Sequence, residues 1–383
     1  MRRTPALLLL LLPLGSVLAA AAGPKHQAPA PPAPLSDTVL SLVLIGDAGH
    51  PAPGGEPVLA SLRRDLLLAG SRALVAFLGD NLYPAGLPVP GHRDRAPLER
   101  RLDAQLDAVS GTGARAVFIP GNHDWEKGGR DGWEAVKRQE RYLEERGGAA
   151  VVFAPSGGCP GPEVLDVPGD RLRLVALDTQ WWLHAHARPE HPVSGCEADS
   201  EAEVVAGLRA ALSGAGSRDV VVLAHHPLAS GGPHGGHFTL RQHLFPLTDV
   251  KDGLWLPLPL VGSLYPVARA RGVSAQDQGS REYRHMRDSL AGAARGKRPL
   301  AWASGHEHVL QVIESPEWGR LLVSGAGIHG HESPVAEVPG SLYRASRAGY
   351  MRIDFLEDGT RRLAVVEVAK DGSAREAYAR LID

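Results

Sequence analysis

Five short polar clusters punctuate this sequence, each following an apolar, strand-like run. They are Ile45-Gly46-Asp47-Ala48-Gly49, Leu78-Gly79-Asp80-Asn81-Leu82-Tyr83, Pro120-Gly121-Asn122-His123-Asp124, Ala224-His225-His226-Pro227 and Ser304-Gly305-His306-Glu307-His308. Each has a plain structural explanation on its own. An Asp after a strand is commonly a helix cap or turn residue, an Asn holds a left-handed turn, a Tyr packs, and a His before Pro sits in a loop. All five explanations would have to hold together along one chain, which is a poor account of the pattern. As a set, the residues offer carboxylate, phenolate, amide and imidazole donors, which suit iron, zinc and similar ions. Seven of them, Asp47, Asp80, Tyr83, Asn122, His225, His306 and His308, can hold two cations if one carboxylate is shared. Two cations about 3.5–4 Å apart clamp the attacking and leaving oxygens of a phosphoryl displacement. Asp80, on a tight turn, is the natural shared carboxylate.

The elements that must position these residues alternate in type. Strand-like runs at 39–45, 73–78 and 116–119 are each followed by an amphipathic stretch, at 58–68, 98–109 and 132–145. Further strands are expected at 172–177, 220–224 and 300–303, with a helix near 201–212. This alternation predicts stacked β-α-β units with strands buried on both faces, their carboxyl ends gathering the polar clusters where open α/β sheets bind ligands. After His308 the pattern becomes 309–313, 321–324, 351–356 and 363–368 with turn signals such as Asp358-Gly359, which predicts an antiparallel meander. The fold class is therefore α/β, a four-layer αββα sandwich. The segment around 235–297 is less regular and carries Leu254-Trp255-Leu256-Pro257-Leu258-Pro259, so an insertion beside the site is expected there.

The ends and the composition narrow the class. Arg2 and Arg3 precede an apolar run from Ala6 to Leu18 and the small residues Ala20-Ala21-Ala22, the three parts of a secretory signal. Residues 1–22 are read as a signal peptide, 23–35 as a Pro/Ala-rich linker and 36–383 as one catalytic domain. The apolar run is shorter than the ~20 residues a membrane span needs, so no stable span is expected after signal removal. An exported protein, periplasmic or secreted, follows, and in that oxidising setting Cys159 and Cys196, the two cysteines of the chain, are expected to pair. A formal charge of −2 over 383 residues gives no reason to expect nucleic-acid binding.

The series Gly-Asp, Gly-Asp-x-x-Tyr, Gly-Asn-His-Asp, His and Gly-His-x-His resembles the calcineurin-like metallophosphoesterase superfamily and, within it, the purple acid phosphatases. Gly49 and Tyr83 discriminate between them. Most of the superfamily places a His two residues after the first Asp, whereas this chain has Gly49 there and supplies Tyr83 after the second. The Gly79–Tyr83 run and Leu177-Asp178-Thr179 look most like the small tartrate-resistant type, which the loops of 235–297 do not follow. The resemblance implies one ion on Asp47, Asp80, Tyr83 and His308, with Fe(III) at the tyrosine. It implies a second, Fe(II), Zn or Mn, on Asp80, Asn122, His225 and His306. It further implies hydrolysis of a small phosphate monoester by attack of a metal-bound hydroxide, with His123 and His234 serving the leaving group or substrate. His226, His237, His243, His329 and His331 receive no role. A phosphodiesterase or nucleotide pyrophosphatase would use the same ligands. A non-catalytic binding module would close its coordination shell and need no His123.

Overall fold

The computed structural model describes residues 37–249 and 253–383. The expected signal peptide and linker lie outside the described residues. The strands follow in chain order as β1 (Thr38–Ile45), β2 (Ala73–Phe77), β3 (Arg115–Phe118), β4 (Val151–Phe153), β5 (Glu163–Asp166), β6 (Leu172–Leu177), β7 (Asp219–Ala224), β8 (Ala301–Ser304), β9 (Leu310–Ser315), β10 (Gly319–Ser324), β11 (Ser341–Ala345), β12 (Gly349–Leu356), β13 (Arg361–Val368) and β14 (Ala374–Ile382). They make two seven-stranded sheets, ordered β14-β13-β12-β1-β2-β3-β4 and β11-β9-β10-β8-β7-β6-β5. The helices are α1 (Pro57–Ala69), α2 (Arg95–Val109), α3 (Gly132–Gly147), α4 (Thr179–Leu183), α5 (Glu201–Ser213), α6 (Leu240–Leu244), α7 (Leu264–Ala270) and α8 (Arg281–Ala293).

Alternation of side chains explains why the central strands are apolar at nearly every position. In β1, Leu42 and Leu44 join the core between the two sheets, packed with residues such as Leu174, Leu223 and Ala303 of the opposite sheet. Val43 and Ile45 point the other way, into a second cluster with Leu62 and Leu66 of α1 and Leu102 of α2. Each fully buried Leu or Val contributes about 1.5–3 kcal/mol relative to exposure. The second sheet is covered in the same manner by α5 and α8, through Leu208, Tyr283 and Leu290. The architecture is thus an αββα sandwich.

Parallel pairing of β1 with β2, β2 with β3, β6 with β7 and β7 with β8 brings the polar clusters to one edge of the sandwich. One expectation needs correction. The back half does not form one meander. β9 and β10 make a hairpin in the second sheet, while β12, β13 and β14 cross to the first, β12 running antiparallel to β1. Local periodicity signals a strand but carries nothing about which sheet receives it.

Among the described residues, no helix is long and apolar enough to cross a membrane. Cys159 and Cys196 form a disulfide, tying the chain before β5 to the loop ahead of α5. The less regular segment supplies α6 and α7 at its start, whereas its last part, α8, packs against α4 and α5 and belongs to the covering layer.

Candidate metal centre

Tight turns at the strand ends aim the donors inward. Asp47, Asp80 and His306 all hold left-handed backbone conformations, with φ of 58°, 51° and 68°. Such conformations are disfavoured for residues with a Cβ and are maintained by their surroundings. Those surroundings are backbone bonds to the same carboxylates: His123 N donates to Asp80 Oδ1 at 2.8 Å and His306 N to Asp47 Oδ2 at 2.8 Å. Gly49 packs its backbone on the second cluster. Its N donates to Asp80 O at 3.1 Å, and its own carbonyl accepts from Tyr83 N at 3.1 Å. A Cβ there would stand 2.4 Å from Asn81 C and Leu82 N, so the position is closed to any side chain. The same backbone contact that forbids a ligand at 49 fixes the turn that presents Tyr83.

The seven predicted donors come together. Tyr83 Oη lies 3.0 Å from Asp47 Oδ1, 3.1 Å from Asp80 Oδ2 and 3.0 Å from His308 Nε2. On the other side of Asp80, His225 Nε2 is 3.5 Å from Oδ1, and Asn122 Oδ1 is 3.0 Å from both His225 Nε2 and His306 Nδ1. Separations of roughly 3 Å are the edges of a coordination polyhedron with metal–ligand bonds near 2.0–2.2 Å. All seven residues are buried apart from His308, which is partly exposed.

Three observations test whether this set fits cations. First, each candidate histidine spends one ring nitrogen on a backbone carbonyl: His225 Nδ1 on Leu78 O at 2.8 Å, His308 Nδ1 on His331 O at 2.9 Å and His306 Nε2 on Gln276 O at 3.2 Å. A carbonyl only accepts, so these nitrogens carry the hydrogen and the others present lone pairs to the centre, the tautomer a metal ligand needs. Second, the lone pairs of His225 Nε2 and His306 Nδ1 face the Asn122 carbonyl oxygen, an arrangement of acceptors that a shared cation reconciles. Third, the carboxylates favour positive charge at their end of the set, whereas burial and the neighbouring imidazoles push the His306 pKa well down. Burial opposes a charge on His225, yet Asp80 and Asp47 outweigh it and lift its pKa to about 9. Burial, then Asp47 and Asp80, push the Tyr83 phenol well above its ordinary range, so a phenolate here requires a strongly Lewis-acidic neighbour. The donor set fits two cations, with Asp80 between them.

His123 and His234 flank the set. The His123 ring tilts over Tyr83 with centroids 4.3 Å apart, Nδ1 donates to Pro84 O at 2.6 Å, and Nε2 lies 3.9 Å from Asp80 Oδ2. His234 stands 4.2 Å, ring to ring, from His306, its Nδ1 2.9 Å from Arg269 Nη2 and 3.3 Å from Asp277 Oδ1. His226 lies among the donors but spends both nitrogens, on Thr179 Oγ1 at 2.8 Å and Gln276 Oε1 at 2.7 Å, which removes it as a ligand. His331 stacks beside His308, and His329 meets Glu332; His243 contacts Ser263, and His237 reaches none of the donors.

Supporting residues received no role in the sequence reading. Asp124 Oδ2 accepts from Gly121 N at 2.8 Å and Asn81 N at 3.2 Å, and Oδ1 from Gln139 Nε2 at 2.9 Å, lashing two ligand loops together. Its place after Asn122-His123 was the available signal. Gln276, Asp277 and Arg269 hold His226, His306 and His234 from within the irregular segment, where no periodicity marks them. Asp178 caps α4 and accepts from Trp125 Nε1 at 2.7 Å, behind the donors rather than among them.

The family model described as calcineurin-like phosphoesterase matches residues 40–310. No curated protein matches the chain. Among solved structures, GAP50, the anchor in the inner membrane complex of Plasmodium, superposes with a TM-score of 0.55 at 15% identity, covering 90% of this chain and 88% of that one. The purple acid phosphatase PPD1 from yellow lupin (Lupinus luteus) seeds gives a TM-score of 0.52 at 14% identity, covering 91% of this chain and 55% of that one. At such identities the likeness is one of fold.

Proposed function

The chain belongs to the calcineurin-like phosphoesterase family, and from that premise we propose that it is a two-metal phosphomonoesterase of the purple acid phosphatase kind. The observation that carries this reading is Tyr83 Oη within 3.1 Å of Asp47, Asp80 and His308, at a turn where Gly49 leaves no room for a different ligand. Asp47, Asp80, Tyr83 and His308 hold Fe(III) in this proposal, and Asp80, Asn122, His225 and His306 hold Fe(II), Zn or Mn. When bound, such a pair neutralises charge on phosphoryl oxygens and lowers the pKa of water at the site.

The chain's own residues do the rest. Buried carboxylates and carbonyl-anchored imidazoles fix the donors in place before substrate arrives. His123, with Nδ1 committed to Pro84 O, keeps Nε2 free to carry a proton to the departing alkoxide. His234, held against Arg269 and Asp277, is oriented to contact the ester from the His306 side. The Cys159–Cys196 bond supports an exported location, where disulfides persist.

Three results test the proposal. The purified protein carries iron and a visible phenolate-to-iron absorption that Tyr83→Phe removes; an unchanged spectrum in that variant excludes Tyr83 as a ligand. It also hydrolyses 4-nitrophenyl phosphate faster than bis(4-nitrophenyl) phosphate, and the reverse order would make it a diesterase. His123→Ala slows alkyl phosphates by about 10²-fold or more while nitrophenyl esters, whose leaving group needs no proton, lose far less. Equal slowing of both ester types removes the acid role from His123.

A further inference from the structure

Residues between Pro233 and Thr248, with Tyr265 and Arg269, build one wall of a cavity of about 580 Å³, and His306, Glu307 and His308 form part of its lining. A cavity of this size encloses a whole organic molecule rather than a phosphate group alone. Most charges around it are already matched. Arg269 Nη2 is 2.7 Å from Asp277 Oδ1, Glu332 Oε1 is 3.2 Å from His329 Nδ1, and Glu307 Oε1 accepts from Gly235 N at 2.8 Å. Arg241 is different. Its guanidinium lies 4.4 Å over the Trp255 ring, and no carboxylate pairs with it among the described residues. Arg241 is exposed, so its N–H groups are accessible, and a guanidinium takes carboxylate or phosphate in a two-point grip. Phe238 and Tyr265 add ring faces to the same lining.

We propose that this cavity receives the alcohol part of a phosphate monoester bearing a second anionic group, carboxylate or phosphate, and that Arg241 recognises that group. The inference rests on the phosphomonoesterase reading, because it places the reacting phosphoryl group at the donors beside His306 and His308. Specificity then comes from the irregular segment, and hydrolysis from the strand ends.

Non-hydrolysable probes separate recognition from turnover. Benzylphosphonate, 4-carboxybenzylphosphonate and 4-phosphonobenzylphosphonate are titrated calorimetrically into metal-loaded protein and its Arg241→Gln and Arg241→Lys variants. The matching phenyl phosphates are assayed by initial rates. The wild type binds at least one probe with a second anionic group about tenfold or more tightly than benzylphosphonate; Arg241→Gln loses that preference and Arg241→Lys regains part of it. The tighter of the two arms identifies the second group as carboxylate or phosphate. No preference in the wild type, or one that survives Arg241→Gln, overturns the proposal. If the esters are hydrolysed without discrimination, the cavity assignment falls and the phosphatase stands. If an Arg241-dependent preference exists but no ester turns over, Arg241 stands as the anion-recognising group of the cavity, while the phosphatase reading and the substrate assignment built on it fall.

Discussion

Asp80→Asn folds, retains neither cation, and loses about 10³-fold or more of kcat/KM toward phosphate monoesters. Asp80 is the donor placed between the two groups of ligands. One oxygen is 3.5 Å from His225 Nε2 and the other 3.1 Å from Tyr83 Oη. Removing its charge while keeping its shape leaves Asp47 as the sole carboxylate among the donors on one side and none on the other. Burial alone would favour the protonated acid, but His225 and His123 hold the carboxyl well below the ordinary range, so the charge is present throughout the working pH span. Asn is the informative replacement. It tolerates the left-handed backbone at φ 51° better than Ala, and its carbonyl can still accept from His123 N. Metal analysis decides the matter: two ions per chain in the variant would remove Asp80 from the bridging position.

Gly49→Ala is the second severe change, although Gly49 contributes no ligand. The new Cβ would meet Asn81 C and Leu82 N at 2.4 Å and Asp80 O at 2.6 Å, all backbone atoms that cannot swing aside. The 80–83 turn must move, breaking the bonds from Gly49 N to Asp80 O and from Tyr83 N to Gly49 O. Overpacking of this kind costs about 1–3 kcal/mol or more, and a displacement of about 1 Å at a reacting centre costs about 10²-fold in rate. The variant therefore melts at a lower temperature and loses the Tyr83-dependent absorption together with activity. Gly49→His fares no better, even though a histidine stands at this place in most of the superfamily, because the larger side chain starts from the same forbidden Cβ. Wild-type melting and metal content in Gly49→Ala would show that the turn is not constrained as described.

These two residues also show where the sequence could be read and where it could not. The Gly49 and Tyr83 pair was visible as a pattern, but its cause, backbone packed on backbone, is a contact between loops that no local signal encodes. The donors were visible because each follows a run apolar enough to be a buried strand, and a polar residue at such an end has few reasons to be there. Residues that act at a distance were not. Asp124 joins loops 43 positions apart through Asn81, and Gln276 reaches His226 across 50, within a stretch that lacks periodicity. β14 was missed because Arg375, Glu376 and Arg380 interrupt its apolar positions, as suits a strand at the sheet margin. The disulfide was expected from the count of cysteines and the compartment, with nothing local to specify it.

β1, which delivers Asp47, sits between β2 and β12, and so takes one of its partners from the far end of the chain. On a ribosome the nascent polypeptide can lay down all seven donors by His308 and still have that partner unmade. Until residues 349–356 emerge, β1 offers an unpaired flank to any passing extended segment. The pocket that Asp47 helps to line is accordingly complete only once residues 349–356 have been made and paired with β1.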